Sequence, residues 1–223
     1  MAHSLTTQSL LRLVTWLSPA FPVGGFAYSS GLEKAVEDGL VRDQPGLSRW
    51  LTSLLHHGAI WNDAVLLAEA WRSDQERSRL ETVAELALAL AGSKERYLET
   101  VALGSAFREA AQVWPSPVLE WLSGPVAYPV VVGAISASHS IECEATLAAY
   151  LHAAVSQQVS AGIRLGLMGQ SQGVALLAGL ESTIEQLAAR AALSTLDDLG
   201  SASVAAEIVS ARHEMQVSRL FRS

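Results

Sequence analysis

The residues of this 223-residue chain that could do chemistry fall in a few places. His139 and Cys143 are spaced i, i+4, which on one helix puts an imidazole and a thiol on the same face, beside Glu142 and Glu144. Such a set suits a soft divalent ion. The surrounding segment is otherwise Val, Ile, Ala and Ser, so a buried core cysteine next to an incidental histidine is the preferred reading. His56 and His57 are adjacent and point to different faces of a helix, poor geometry for a single ion. His213-Glu214 opens like the zinc-binding helix of a metalloprotease, but the residue four after His213 is Val217. A metal-dependent hydrolase would need tertiary folding to converge His56, His57, His213 and Glu214.

Nucleotide chemistry has no better footing. Gly166 to Gly173 holds glycines but no lysine, and Gly24-Gly25 lacks a correctly placed third glycine. Glu69, Glu81, Glu85, Glu99 and Glu109 recur at helical spacing among alanines and leucines, which predicts solvated faces or partners of arginine. Arg96 and Arg164 have ordinary salt-bridge explanations. The expectation is a chain with no catalytic residue, no cofactor and no metal site.

The last stretch, HEMQVSRLFRS (213–223), is unusual in another way. Chain ends are normally small and polar unless something ties them down. Here Leu220 and Phe221 offer an apolar anchor, while Arg219 and Arg222 offer planar forks for carboxylates. The segment reads either as a docking element for a partner or as a terminal helix folded back on its own core.

These residues must be positioned by helices. From about residue 44 onward Ala, Leu, Glu and Gln dominate, and apolar residues recur at helical spacing. The prediction is all-α: one helical domain over 1–223, a bundle of about eight to ten helices. Ser30-Gly-Leu-Glu33 reads as a capping box, and Asp43, Asp63 and Ser93 as further N-caps. Gly58, Gly92, Gly124, Gly179 and Gly200 fall near expected helix ends. Pro129 suits a first turn. Trp50, Trp61 and Trp71 recur at about eleven-residue spacing and are expected to pack a core, or, for one or two of them, to anchor an interface. The stretch from about 18 to 31, SPAFPVGGFAYSSG, mixes glycine with contact-making residues, as functional loops do.

Composition narrows the function classes. The net charge is −7, and no Lys/Arg stripe exists to neutralise phosphates, which excludes a nucleic-acid binder. The lone Cys143 forbids an internal disulfide and fits a reducing cytoplasm. The N-terminal MAHSLTTQSLLRLVTW has neither a basic leader nor a clean apolar block, and Val126 to Ala137 is too short for a membrane span. Hydrophobic residues make up 50% and charged ones 17%, so apolar surface is left over for partners and for a two-fold dimer.

The loop LSPAFPVGGFAYSSGLEKAVEDGLV (17–41) and the tail HEMQVSRLFRS together resemble the urease accessory protein UreF family. Further landmarks lie between them: Glu95-Arg96 with Glu99 and Gly104, Tyr128-Pro129-Val130 with Gly133, and Met168-Gly169-Gln170 with Gln172-Gly173. The likeness spans essentially the whole chain. It implies an all-α, non-catalytic adaptor in nickel insertion into urease, bridging a UreD/UreH-type protein that contacts apo-urease and the GTPase UreG. It also implies a homodimer and a possible modulating effect on the GTPase, and leaves open a direct nickel carrier using His139 and Cys143. Partner-binding residues implied by the likeness are Pro22, Gly24, Gly25, Tyr28, Gly31 and Glu33 in the loop, Gly169 and Gln170, and Arg219, Leu220, Phe221, Arg222 and Ser223 in the tail. The chain departs from the family pattern at Met215, at Val217, where a tyrosine is usual, and at Leu167-Met168 before Gly169.

Overall fold

A computed structural model describes residues 6–223; residues 1–5, the start of the stretch weighed above as a leader, lie outside the described residues. Local signals in the sequence start most of the helices. Thr6 opens α1 (Thr7–Trp16) by accepting the Ser9 N–H at 3.0 Å. Helix α2 (Leu32–Glu37) follows the glycine loop. Asp43 caps α3 (Gln44–His57) by accepting the Gly46 N–H at 2.8 Å, with Pro45 in the first turn. After α4 (Ala59–Arg72) and α5 (Arg77–Ala89), Ser93 caps α6 (Lys94–Ala110). The remaining helices are α7 (Pro117–Trp121), α8 (Tyr128–Ser138), α9 (Cys143–Arg164), α10 (Gln170–Leu193) and α11 (Val204–His213). No strand occurs among the described residues, so the fold is all-α, and nine of these helices have ten or more residues.

Helix α8 is apolar all round and buried from Pro129 to Ser136, which makes it the central rod of the bundle. Helix α4 lies against it so closely that a Cβ on Gly133 would sit 2.3 Å from the Leu67 carbonyl oxygen. The long helices α9 and α10, joined by the five residues 165–169, form a hairpin that covers α4 and α3. One continuous core results, running from Trp16 and Phe107 through Leu67 and Ile135 to Leu147.

Several local expectations are corrected. Asp63 lies inside α4 and does not cap it, because the helix already begins at Ala59. Gly179 is an exposed interior residue of α10, since its neighbours Leu176, Leu180 and Ile184 keep the apolar face of that helix unbroken. The Ser30–Glu33 capping box is not formed: Gly31 is the N-cap, at φ +84°, and the Glu33 carboxylate is turned to other partners. Of the two alternatives for Glu69 and Glu99, solvated face or arginine partner, the second holds: both are buried, and Glu99 lies 3.7 Å from Arg96. Glu69 is gripped by Arg79 at 2.6 Å and Arg72 at 2.9 Å. Burial alone would raise its pKa, but those two guanidiniums hold it below the ordinary carboxylate value. Of the three spaced tryptophans only Trp61 is fully buried; Trp50 and Trp71 are half-buried, and the Trp71 indole N–H donates to the Ile141 carbonyl at 2.8 Å.

Candidate partner-docking surface

The loop, the N-terminal half of α6 and the end of α11 meet at one end of the bundle, and the tail closes over them. Gly31 makes this convergence possible. Its positive φ is one that side-chain-bearing residues rarely adopt, and a Cβ there would lie 3.3 Å from the Ser210 backbone of α11. The turn delivers Glu33 into the first turn of α2, where it is 8% exposed. Its Oε1 accepts the Leu220 N–H at 2.7 Å and its Oε2 the Phe221 N–H at 3.0 Å.

Fully buried His213, the last residue of α11, lies between two carboxylates: Nδ1 is 2.6 Å from Glu95 Oε2 and Nε2 is 3.3 Å from Glu33 Oε2. Glu95 also accepts from Arg219 Nη1 at 2.6 Å. The rest of the Arg219 fork donates to the carbonyls of Gln216 and Glu214, at 2.7 and 2.6 Å. Further along, the Arg222 N–H donates to the Ala27 carbonyl at 2.8 Å, and the Ser29 N–H to the Ser223 carbonyl at 2.9 Å. The Ser223 hydroxyl donates to Glu99 Oε2 at 2.7 Å, while the Ser30 hydroxyl donates to Glu99 Oε1 at 2.8 Å. Phe221 is 4% exposed, with the Arg164 guanidinium 4.2 Å above its ring. The tail is therefore folded onto the body, with Phe221 and Ser223 inward and Leu220 and Arg222 outward.

Behind this seam lies a second charged group. Arg96 donates to Asp63 at 2.5 Å, lies 3.7 Å from Glu99, and shares Asp63 with the Tyr150 hydroxyl at 3.0 Å. Burial pushes the Tyr150 hydroxyl well above the ordinary phenol range, and the neighbouring Asp63 charge adds to the effect. Arg164, expected to have an ordinary salt bridge, instead donates to the Phe26 carbonyl at 2.6 Å and covers Phe221.

Large apolar side chains are exposed on the outward side of the seam: Phe26 is 76% exposed, Leu220 55% and Val217 100%. Beside it opens a cleft of about 890 Å³, lined by Leu10, Val14, Tyr28, Ala149, Gln157 and Phe221 among others. Pro22 is exposed on the loop, while Gly24 and Gly25 flank Phe26, and Tyr28 is buried with its carbonyl accepting from Gln157 at 3.3 Å. Gly169 and Gln170 begin α10 and are exposed; they share none of the tail's hydrogen bonds.

The metal alternatives are not assembled. His139 ends α8 and Cys143 begins α9, with Ser140 at φ +56° in the turn between them, so they do not share a helical face. His139 instead lies against Trp16, ring centroids 5.8 Å apart. His56 and His57 end α3, whereas His213 is enclosed by Glu33 and Glu95. Among the described residues no three His, Cys, Asp or Glu side chains are grouped to hold an ion. Burial pushes the Cys143 thiol up to about 11. Its thiolate fraction at neutral pH is then on the order of 100-fold below that of an ordinary thiol. Labelling by a thiol reagent is expected to be slow at neutral pH and to keep accelerating toward about pH 11; rapid labelling at neutral pH would contradict the burial.

Sequence reasoning named Asp63 only as a helix cap, missed Ser29, and left Glu99 as either a solvated-face residue or an arginine partner, of which the structure shows the second, with Arg96 at 3.7 Å. Their signal was weak, because a carboxylate among alanines looks the same whether the facing element is solvent or a distant arginine.

A model of the UreF family matches residues 41–181. The chain is 64% identical over 230 residues to the urease accessory protein UreF of Allorhizobium ampelinum and 62% identical over 223 residues to that of Agrobacterium fabrum, with 100% of each chain covered in both cases. The chain belongs to the UreF family. The span of the UreF model runs from just before α3 into α10 and so omits the glycine loop and the tail. The full-length UreF relatives include both, among them that of Rhizobium meliloti at 53% identity over 223 residues. The seam between loop and tail is thus inside the likeness to UreF, although outside the matched core.

Proposed function

We propose that this chain is a non-catalytic adaptor for urease maturation, working in the cytoplasm. In this reading it bridges a UreD/UreH-type protein, which contacts apo-urease, and a UreG-type GTPase, so that nickel is inserted in a GTP-dependent step. It acts as a symmetric dimer carrying two copies of each partner, and residues 1–223 work as one helical domain. The observation that carries the reading is the outward face of the loop–tail seam. Phe26 on the loop and Val217 and Leu220 on the tail are exposed, as is Arg222, whose guanidinium is engaged by no carboxylate among the described residues. An exposed aromatic with a free guanidinium is the composition of an interface hot spot. The family membership supports urease as the process served. Among the described residues no helix is long and apolar enough to cross a membrane.

The test is co-expression with UreD- and UreG-type partners, comparing the parent chain with Arg222→Glu. Arg222 points outward, so the change is expected to leave the melting temperature within the scatter of a surface substitution, about 0.5 kcal/mol in stability. Capture of the UreD-type partner and the nickel content of urease should both fall. Full capture by Arg222→Glu would remove the tail from the interface, and a parent chain that captures neither partner would overturn the adaptor reading. Mass measured across a concentration series checks the dimer, which a strict monomer at high concentration would contradict.

A further inference from the structure

We propose that helix α1 is a lid over the cleft, fastened at Trp16 against His139 and released when that imidazole takes up a second proton. The fastening is slight. Of residues 7–16 only Ser9, Leu13 and Trp16 are buried, while Leu10, Leu11 and Val14 are exposed. The side-chain hydrogen bonds of this stretch are local, Ser9 with Thr6 and Thr15 with the Leu11 carbonyl, and among the described residues none joins α1 to another helix. Apolar contact therefore holds it. Trp16 is the anchor: it is fully buried, with ring centroids 5.6 Å from Trp114, 6.3 Å from Phe107 and 5.8 Å from His139. Leu10, Leu13, Val14 and Leu17 line the cleft, so a helix that swings away at Trp16 opens it.

The contact at Trp16 suits a neutral ring. His139 Nε2 is buried without a hydrogen-bond partner, and the Trp16 indole N–H is buried and unpartnered as well. A second proton on the ring would place a charged N–H where no acceptor meets it. The nearby charges point the same way. Arg12, one turn before Trp16 on α1, is the charged side chain that acts on the ring, and no carboxylate, Glu142 and Glu144 included, is paired with it among the described residues. The Trp114 backbone, in the turn after α6, accepts from the ring and favours the proton, but it is the smallest of the three influences. Burial first and Arg12 second hold the His139 pKa below the ordinary histidine value.

With α1 swung away, Nε2 meets water and Arg12 leaves with the helix. The closed lid thus binds protons less well than the open one. A group whose pKa is depressed by docking contributes stability above its free value, about 6.5 for histidine, and that contribution is lost as pH falls below it. Acidification therefore opens the lid and uncovers the apolar side chains of Leu13 and Trp16 together with the cleft. Lid opening is independent of the adaptor reading and holds whichever partner the chain meets.

Hydrogen exchange of the purified chain tests it, read at the Leu13 and Trp16 amides of α1. Protection factors, with the intrinsic pH dependence divided out, are expected to be level above about pH 6.5 and to fall by up to about tenfold per pH unit from there to about pH 5, while amides of α4 keep theirs. His139→Phe keeps a ring against Trp16 without a titrating nitrogen and should give level protection over the whole range. A level profile in the parent chain would overturn the lid, as would a fall shared with the α4 amides or the same slope in a folded His139→Phe. Should His139→Phe fail to fold, Arg12→Gln decides beside the parent: with one charge fewer against the second proton its fall should be smaller, and an equal or larger fall would overturn the proposal.

Discussion

Replacing Phe221 with alanine is expected to undock the tail without unfolding the bundle. The ring is 4% exposed, and truncating a buried phenylalanine costs about 3 to 5 kcal/mol. At the lower figure the docking equilibrium moves on the order of 100-fold, and the protection of the Leu220 amide falls by that factor. The loss seen in the melt is limited to the free energy of docking, because Phe221 is the one residue of the tail in the hydrophobic core among the described residues. Each kcal/mol moves the melting temperature of a chain this size by about 2 to 4 °C. A cooperative melt with unchanged helical signal and fast exchange at Leu220 is the expected combination. Unaltered exchange at Leu220 would show that the Glu33 contacts alone hold the tail. Read beside Arg222→Glu, the variant also separates the two faces of the segment: Phe221 should alter folding and binding together, Arg222 binding alone.

Gly133→Leu should be among the most damaging single changes in the molecule. Even a bare Cβ at this position would meet the Leu67 carbonyl oxygen at 2.3 Å and its carbonyl carbon at 3.1 Å, both backbone atoms of α4. Neither can swing aside as a flexible side chain would, so α4 and α8 must separate. Those helices pack backbone against backbone here, and overpacking there is expected to cost more than about 3 kcal/mol. Soluble yield and thermal melting measure it. Gly133→Ala should already lower the melt, whereas Gly179→Ala, on the open face of α10 with nothing within 4 Å of its Cβ, should hold or raise it. An undamaged Gly133→Leu would mean that α4 and α8 do not pack as described.

The helices themselves were legible in the residues. Asp43 and Ser93 cap where short polar side chains before apolar runs should, and Pro129 sits in a first turn, because these signals act within a few residues of themselves. The whole-length likeness, and with it the family, was equally a property of the sequence. What the sequence left open was the fate of the tail: docking element or terminus folded home. The tertiary structure answers with a division inside one segment, Phe221 and Ser223 inward, Leu220 and Arg222 outward. That division rests on contacts spanning 180 or more residues, between Glu33 and His213, Leu220 and Phe221. The same distance in sequence explains the error at Asp63 and the choice left open at Glu99. A carboxylate's local neighbours set whether it can cap a helix or face solvent, but only the folded chain brings up the Arg96 or Ser223 that makes burying it tolerable.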